Sequence, residues 1–234
     1  MTSPTDETHL NQTQMQNAAE RLRKRRRLQV VFLALFGVLC GVSFFLDDAV
    51  IRFIAENRTK PLKNLAGLIS DYGDWPWLML AALPFLLWAI WKKRPGLLRL
   101  VATAMIASSL AGATANALRL TTGRTRPNNS SVESGWYGLR HDGQWLLGKN
   151  KFSSFPSGHT ATAFGFFAAL AFRRKTSSFL WFVPAVVMAI SRMAIDAHHL
   201  SDVCVGAWFG LIAAWWCSTR RWHFLRRFSP GKSG

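Results

Sequence analysis

Ser191-Arg-Met-Ala-Ile-Asp-Ala-His-His-Leu-Ser-Asp202 joins two apolar runs near the end of the chain. An Arg, two His and two Asp thus sit at the mouth of membrane-length segments, where charge is costly and is retained for function. His198 and Asp202 are four residues apart and share one face if a helix begins here. The Asp could then fix the tautomer of the imidazole and stabilise a positive charge on it. Taken alone, the stretch also fits a polar patch at a membrane interface, and the rest of the chain has to decide between the two.

Working outward, six apolar segments stand out, at roughly 28–46, 76–91, 97–118, 158–172, 177–195 and 202–219. Several are shorter than the about 20 residues that a hydrocarbon core asks for. Six in one chain nevertheless predict an all-α protein, a six-transmembrane-helix bundle. Half of the 234 residues are hydrophobic, with 11 Trp and 17 Phe.

The net charge of +17 invites a nucleic-acid partner. Its distribution argues against one. With the N-terminus inside, 17 of the 29 basic residues fall in inner regions: the run 21–27, Lys92-Lys93-Arg94, Arg173-Arg174-Lys175 and the tail from Arg220. That is the positive-inside bias, with both termini cytoplasmic. No nucleic-acid partner is expected. Cys40, Cys204 and Cys217 lie in or beside apolar segments with no CxxC spacing and read as small hydrophobes.

Residues 1–27 are polar and then basic, without apolar periodicity, and are expected to be a disordered cytoplasmic N-terminus. Residues 28–219 form the bundle, and 220–234 a basic cytoplasmic tail. Within 47–75, Ile51, Ile54, Leu62, Leu65, Leu68 and Ile69 recur at near-helical spacing among charges, which predicts one or two short interfacial helices on the outer face. Asp74 reads as a turn residue. The loop 128–155, with Trp136, Tyr137 and Trp145, suits either a flap over the lipid surface or a disordered connector. Phe155-Pro-Ser-Gly-His159 then opens the fourth segment, with free N–H groups suited to an anion.

This topology collects seven polar residues from three connections at one membrane face: Arg119, Arg126, Ser157, His159, Arg192, His198 and Asp202. Three converging guanidinium groups call for an anion, and they bind phosphate bidentately. Two His can divide the roles of nucleophile and general acid. The set lacks the carboxylates or thiolates of a metal centre, so neither a metal nor another cofactor is expected. The expected chemistry is phosphoryl transfer.

The pattern resembles the three signature motifs of the type 2 phosphatidic acid phosphatase superfamily, integral-membrane lipid phosphatases. Arg119 through Arg126-Pro127 is similar to the first, Pro156-Ser157-Gly158-His159 to the second, and Ser191-Arg192, His198 and Asp202 to the third. One departure is Arg119, where the family usually has Lys. The resemblance implies a metal-independent phosphohistidine mechanism. His198 would be the nucleophile, Asp202 its partner and His159 the general acid. Arg119, Arg126, Arg192, Ser157 and the Gly158 N–H would bind phosphate. The third motif's spacing favours His198 over the adjacent His199. Asp196 matches no motif position, and His141 and His223 are expected to be incidental.

The expected substrate is a lipid phosphate or diphosphate: undecaprenyl diphosphate, phosphatidylglycerol phosphate, phosphatidic acid or a phosphate of lipid A. The expected location is a bacterial inner membrane, with the site periplasmic. A lipid phosphotransferase using the same intermediate is the alternative. A non-enzymatic transporter or scaffold would be expected to have lost one of the two His. The sequence says nothing of the oligomeric state.

Overall fold

The computed structural model of the protein describes residues 4–173 and 178–219. The expected basic tail 220–234 and His223 lie outside the described residues. Helix α1 runs without interruption over Pro4–Asn57. It begins inside the stretch where the sequence shows no apolar periodicity. Pro4 occupies its first position, where a missing N–H costs nothing, and no proline follows before its end. The sequence also places the end of the first segment at 46, before the charged pair Asp47-Asp48. The helix instead continues to Asn57, because Asp47 is buried and neutralised and does not mark an exit into solvent. Ile51 and Ile54 therefore belong to α1 and not to a separate interfacial helix.

Helix α2 (Lys60–Tyr72) follows, with Thr59 as N-cap. It exposes Leu62, Leu65 and Leu68 and buries Ala66 and Ser70. Asp74 is indeed a turn residue, the N-cap of α3 (Trp75–Trp91). Then come α4 (Pro95–Thr122), α5 (Gly158–Arg173), α6 (Phe182–Ala194) and α7 (Leu200–Thr219). Over their described residues all six expected apolar segments fall on helices, the fifth opening with a 3₁₀ turn at Ser178–Trp181. Among the described residues, three helices are long and apolar enough to cross a membrane: residues 26–57 of α1, and α4 and α7. Helices α2 and α3 qualify together as one path bent by 58°. Helix α5, at 16 residues, and α6, at 13, are shorter than a span normally requires.

The centre of the bundle is α5, packed against α7 and α4. Its neighbours are small. Ala104, Ala107, Ala111 and Ala115 line the buried face of α4 at steps of three and four residues. Gly206 and Gly210 do the same on α7. A Cβ at Gly210 would stand 2.5 Å from the Phe164 Cβ and 2.7 Å from the Ala161 carbonyl oxygen. Helices approach this closely only where side chains are absent, a pattern typical of association in lipid. Ser108 crosses the seam by donating to the Thr162 carbonyl at 2.9 Å.

Around this centre the usual burial of a water-soluble protein is reversed. On α6, Val183, Val186, Val187 and Ile190 are exposed, while Ala185, Met188, Ala189 and Arg192 are buried. Helix α1 exposes Leu35, Val38, Leu39 and Phe45, and α3 exposes Leu80, Phe85, Leu87 and Trp91. A continuous apolar surface of this extent belongs against hydrocarbon. Cys40 and Cys217 are buried and Cys204 half-buried, as small hydrophobes would be.

The connections α1–α2, α4–α5 and α6–α7 meet at one end of the bundle, through hydrogen bonds from Arg124 to Asp47 and Asp202 and from Arg58 and the Asn128 N–H to Asp196. The longest of them, 123–157, is ordered. Gly123 ends α4 at φ +61°, the left-handed region, with the Gly138 backbone against it. A two-residue hairpin (β1 Arg140–His141, β2 Gln144–Trp145) and a 3₁₀ turn at Asn150–Phe152 shape the rest. Tyr137 packs on Phe152 at 5.5 Å and on His141 at 4.4 Å between ring centroids. His141 is thus part of the loop's own small core.

Replacing Gly210 by Ala forces backbone or Phe164 to move and is expected to cost about 1–3 kcal/mol. Gly41→Ala, with nothing within 4 Å of the added carbon, is the control. Thermal unfolding in detergent should show a lowered midpoint for the first and none for the second.

Candidate active site

Asp202, in the first turn of α7, has no solvent exposure. Its two oxygens are divided. Oδ1 accepts from Arg124 Nη1 at 2.6 Å. Oδ2 accepts from the His199 backbone N–H at 2.8 Å and from Ser154 Oγ at 2.5 Å. Arg124 reaches the other way through Nη2, at 2.6 Å from Asp47 Oδ2 on α1. Asp47 also accepts from the Ser201 N–H and hydroxyl at 2.8 and 2.6 Å. The guanidinium lies 4.7 Å from the Trp136 ring centroid, with Phe44 and Phe155 also near. Both carboxylates here have hydrogen bonds on each oxygen, and the one cation bonds to both of them, which offsets the cost of burying them.

Both imidazoles of the 198–199 pair face Asp202 Oδ2. His199 Nδ1 is 3.2 Å away and His198 Nδ1 3.5 Å. The nearer ring is therefore His199, although the motif spacing favours His198. What separates them is the surroundings. Both ring nitrogens of His198 are buried and make no hydrogen bond. Arg192 and Arg126 bear on its charge, and its charge in turn bears on His159. His199 instead lies beside the Ser154 hydroxyl, 3.5 Å from its Nδ1. Burial pushes the His198 pKa down to about 4, against the opposing pull of Asp202 and with help from Arg192 and Arg126. His198 is neutral at physiological pH, with a lone pair to offer.

The turn carrying His198 has its own support. Helix α6 ends at Ala194, and Asp196 reverses the chain at φ +57°. Arg192, in the last turn of α6, donates through Nη1 to the buried Ser70 hydroxyl on α2. Its Nε is buried without a partner.

His159, in the first turn of α5, lines a cavity of 410 Å³ with Asp74, Trp75, Asn116, Arg119 and Gly158. The charges bearing on it are those of Arg192, His198, Arg119 and Arg126. A Cβ at Gly158 would lie 3.3 Å from Asn116 Oδ1 and 3.7 Å from Arg119 Nη1, so the bare backbone leaves these side chains room. Arg126 contacts the Ser153 carbonyl at 3.5 Å and keeps its Nε buried and unpaired. Ser157 is fully buried. Its N–H donates to the Asp202 carbonyl at 3.0 Å, and its hydroxyl pairs with Thr160 at 2.9 Å.

The residues singled out by sequence therefore collect at one end of the bundle. The exceptions are of detail: Ser157 Oγ is already engaged, and Asp202 is shared by two His. Asp47, Arg124, Ser154 and Ser70 escaped the sequence reading. Arg124 was visible as a third Arg between Arg119 and Arg126, but nothing local told that it turns toward two carboxylates. Asp74 gains a contact beyond its turn, with Oδ2 3.4 Å from His159 Nε2. Among the described residues, no group of three or more His, Cys, Asp or Glu could hold a metal ion. Arg126 and Arg192 beside an unpaired, neutral imidazole, with Arg119 beside His159, can bind a phosphate that the imidazole nitrogen accepts.

Residues 96–226 match the family model of the PAP2 superfamily. The chain is 31% identical over 199 residues to a protein named lipid A 1-phosphatase from Rhizobium johnstonii, covering 79% of this chain and 78% of that one. The crystal structure of Aquifex aeolicus LpxE aligns with a TM-score of 0.51 at 22% identity, over 72% of this chain and 92% of its own. That of a transmembrane PAP2-type phosphatidylglycerolphosphate phosphatase from Bacillus subtilis aligns at 0.55 and 17% identity, over 84% and 98%. At these identities the two structures bear on the fold alone.

Arg124→Gln removes the cation between two buried carboxylates and is expected to cost about 3–5 kcal/mol. Thermal unfolding in detergent checks this, with Asp47→Asn expected to be milder because one of its two accepting oxygens is kept and Arg124 still pairs with Asp202. A folded-state pKa below the ordinary 6.5 means that neutral His198 stabilises the fold. That contribution is complete above pH 6.5 and disappears as pH falls through about 4. In ¹⁵N-histidine NMR one ring should titrate near pH 4, and its signal should be absent in His198→Ala.

Proposed function

The chain belongs to the PAP2 superfamily and is a membrane lipid phosphatase, and on that premise we propose that it removes a phosphate from lipid A through a phosphohistidine on His198. The observation that carries the mechanism is the unpaired Nε2 of a neutral, buried His198 beside Arg126 and Arg192, with Arg119 beside His159. Nε2 attacks phosphorus, and the bond from phosphorus to the lipid oxygen breaks. His159 gives that oxygen its proton. The imidazole becomes cationic on phosphorylation and is stabilised by the Asp202 carboxylate, 3.5 Å from Nδ1. His159, now neutral, takes a proton from water as the water attacks the phosphohistidine, and inorganic phosphate leaves. Arg119, Arg126, Arg192 and the Gly158 N–H hold the oxygens on which charge develops. Ser157 joins them only if its hydroxyl turns from Thr160.

Lipid A is favoured over the other candidates by the Rhizobium johnstonii relative, whose similarity extends over most of both chains. The positive-inside bias supports a bundle of six crossings over 28–219 in a bacterial inner membrane, with cytoplasmic termini and a periplasmic site. Helix α5, shorter than a usual span, is enclosed by its neighbours and needs no full hydrocarbon width of its own.

Detergent-purified protein in EDTA should release phosphate from lipid A faster than from phosphatidylglycerol phosphate, phosphatidic acid or undecaprenyl diphosphate. A strict requirement for a divalent metal would overturn the mechanism, and preference for a glycerophospholipid the substrate. His198→Ala and His159→Ala should each lower kcat by about 10²-fold or more. An acid-labile phosphoryl adduct should accumulate in His159→Ala and be absent in His198→Ala.

A further inference from the structure

Asp196 belongs to no motif, yet it ties three segments together two residues before His198. Its backbone turns at φ +57°, a conformation that L-residues other than glycine adopt at a cost and that asparagine and aspartate tolerate best. Its carbonyl accepts from the Asn128 N–H at 3.1 Å, two residues beyond Arg126. Its carboxylate Oδ2 accepts from Arg58 Nη1 at 2.6 Å. The same Arg58 nitrogen donates to the carbonyl of Ala194, the last residue of α6, at 2.7 Å. Arg58 thus places a cation at a helix C-terminus and on the turn that follows. It stands at the junction of α1 and α2, 138 residues from Asp196.

We propose that Arg58 is a positioning residue, holding the turn at Asp196 so that His198 and Arg126 stand at a fixed separation for phosphoryl transfer. This rests on His198 being the nucleophile. The side chains of Arg58 and Asp196 are 16% and 22% exposed, so the pair is neither fully buried nor free in solvent. Pairs with access to water add little to global stability. A displaced nucleophile, by contrast, costs rate steeply, because reactivity depends on sub-ångström placement. The loss of Arg58 should therefore appear in kcat before it appears in unfolding. Lys63, half exposed and 3.6 Å from the same oxygen, is a weaker second cation.

The experiment measures phosphate release from lipid A and from phosphatidic acid in mixed micelles by full-length protein, with thermal unfolding alongside. Arg58→Gln and Asp196→Asn should each lower kcat about tenfold with KM within about twofold, and the double variant should be no worse than either single one. Arg58→Lys should recover part of the loss, and Lys63→Gln should stay within about twofold of wild type. If Arg58→Gln does not fold, Asp196→Asn carries the test, since Asn tolerates the same backbone turn. Wild-type kcat in Asp196→Asn, additive losses, or a loss matched by a collapsed unfolding midpoint would each overturn the proposal. His198→Ala separates the two readings. If it keeps the wild-type rate, the nucleophile assignment falls. If it is inactive while Asp196→Asn is wild-type, only the positioning role falls.

Discussion

The buried arrangement Asp47–Arg124–Asp202 is the interaction on which the rest of this structure depends. One guanidinium joins two carboxylates from the first and last helices of the bundle, 77 and 78 residues away along the chain. Removing such groups from water is repaid only when every lone pair and proton finds a partner. Ser201, Ser154 and the His199 N–H supply the remainder. The aromatic cover of Phe44, Trp136 and Phe155 then excludes water from the guanidinium. Because Asp202 spends one oxygen on Arg124, only the other is left for the imidazoles, which fixes the side from which His198 can approach.

The bundle beneath that end is built for close approach. Alanine and glycine on α4 and α7 let α5 sit deep between them, with Gly210 against backbone. The first turn of α5 carries Gly158 and His159, so the depth of α5 sets where the second motif meets the third. Packing and chemistry are therefore coupled, and a carbon added in the seam would shift an imidazole at the end. The outer helices do different work. They expose aliphatic side chains to hydrocarbon, and α2 supplies Ser70 to Arg192.

How much of this was legible in the sequence varied with range. The apolar segments and the motif residues were visible because each depends on local composition or fixed spacing, and all six segments fall on helices. The break expected after residue 46 was misplaced because Asp47 looked like the end of a hydrophobic run. A charge neutralised by a residue 77 positions away carries no local mark. The pairing of Asp196 carries no local mark for the same reason, its partner Arg58 being 138 residues distant. The loop 128–155 was ambiguous because its order comes from Tyr137, His141 and Phe152 packing together, and no periodicity announces that.

The sequence by itself determined the helical class, the basic bias and the identities of the residues gathered at one end. These follow from hydrophobic periodicity, charge position and spacing within about a dozen residues. The tertiary structure alone decided that Arg124 clamps α1 to α7, that Asp202 is divided between Arg124 and two imidazoles, and that the loop 123–157 is a packed cover. Those outcomes are pairings between distant segments, chosen by the cost of leaving a buried polar group unpaired. That cost exists only once the helices have been brought together.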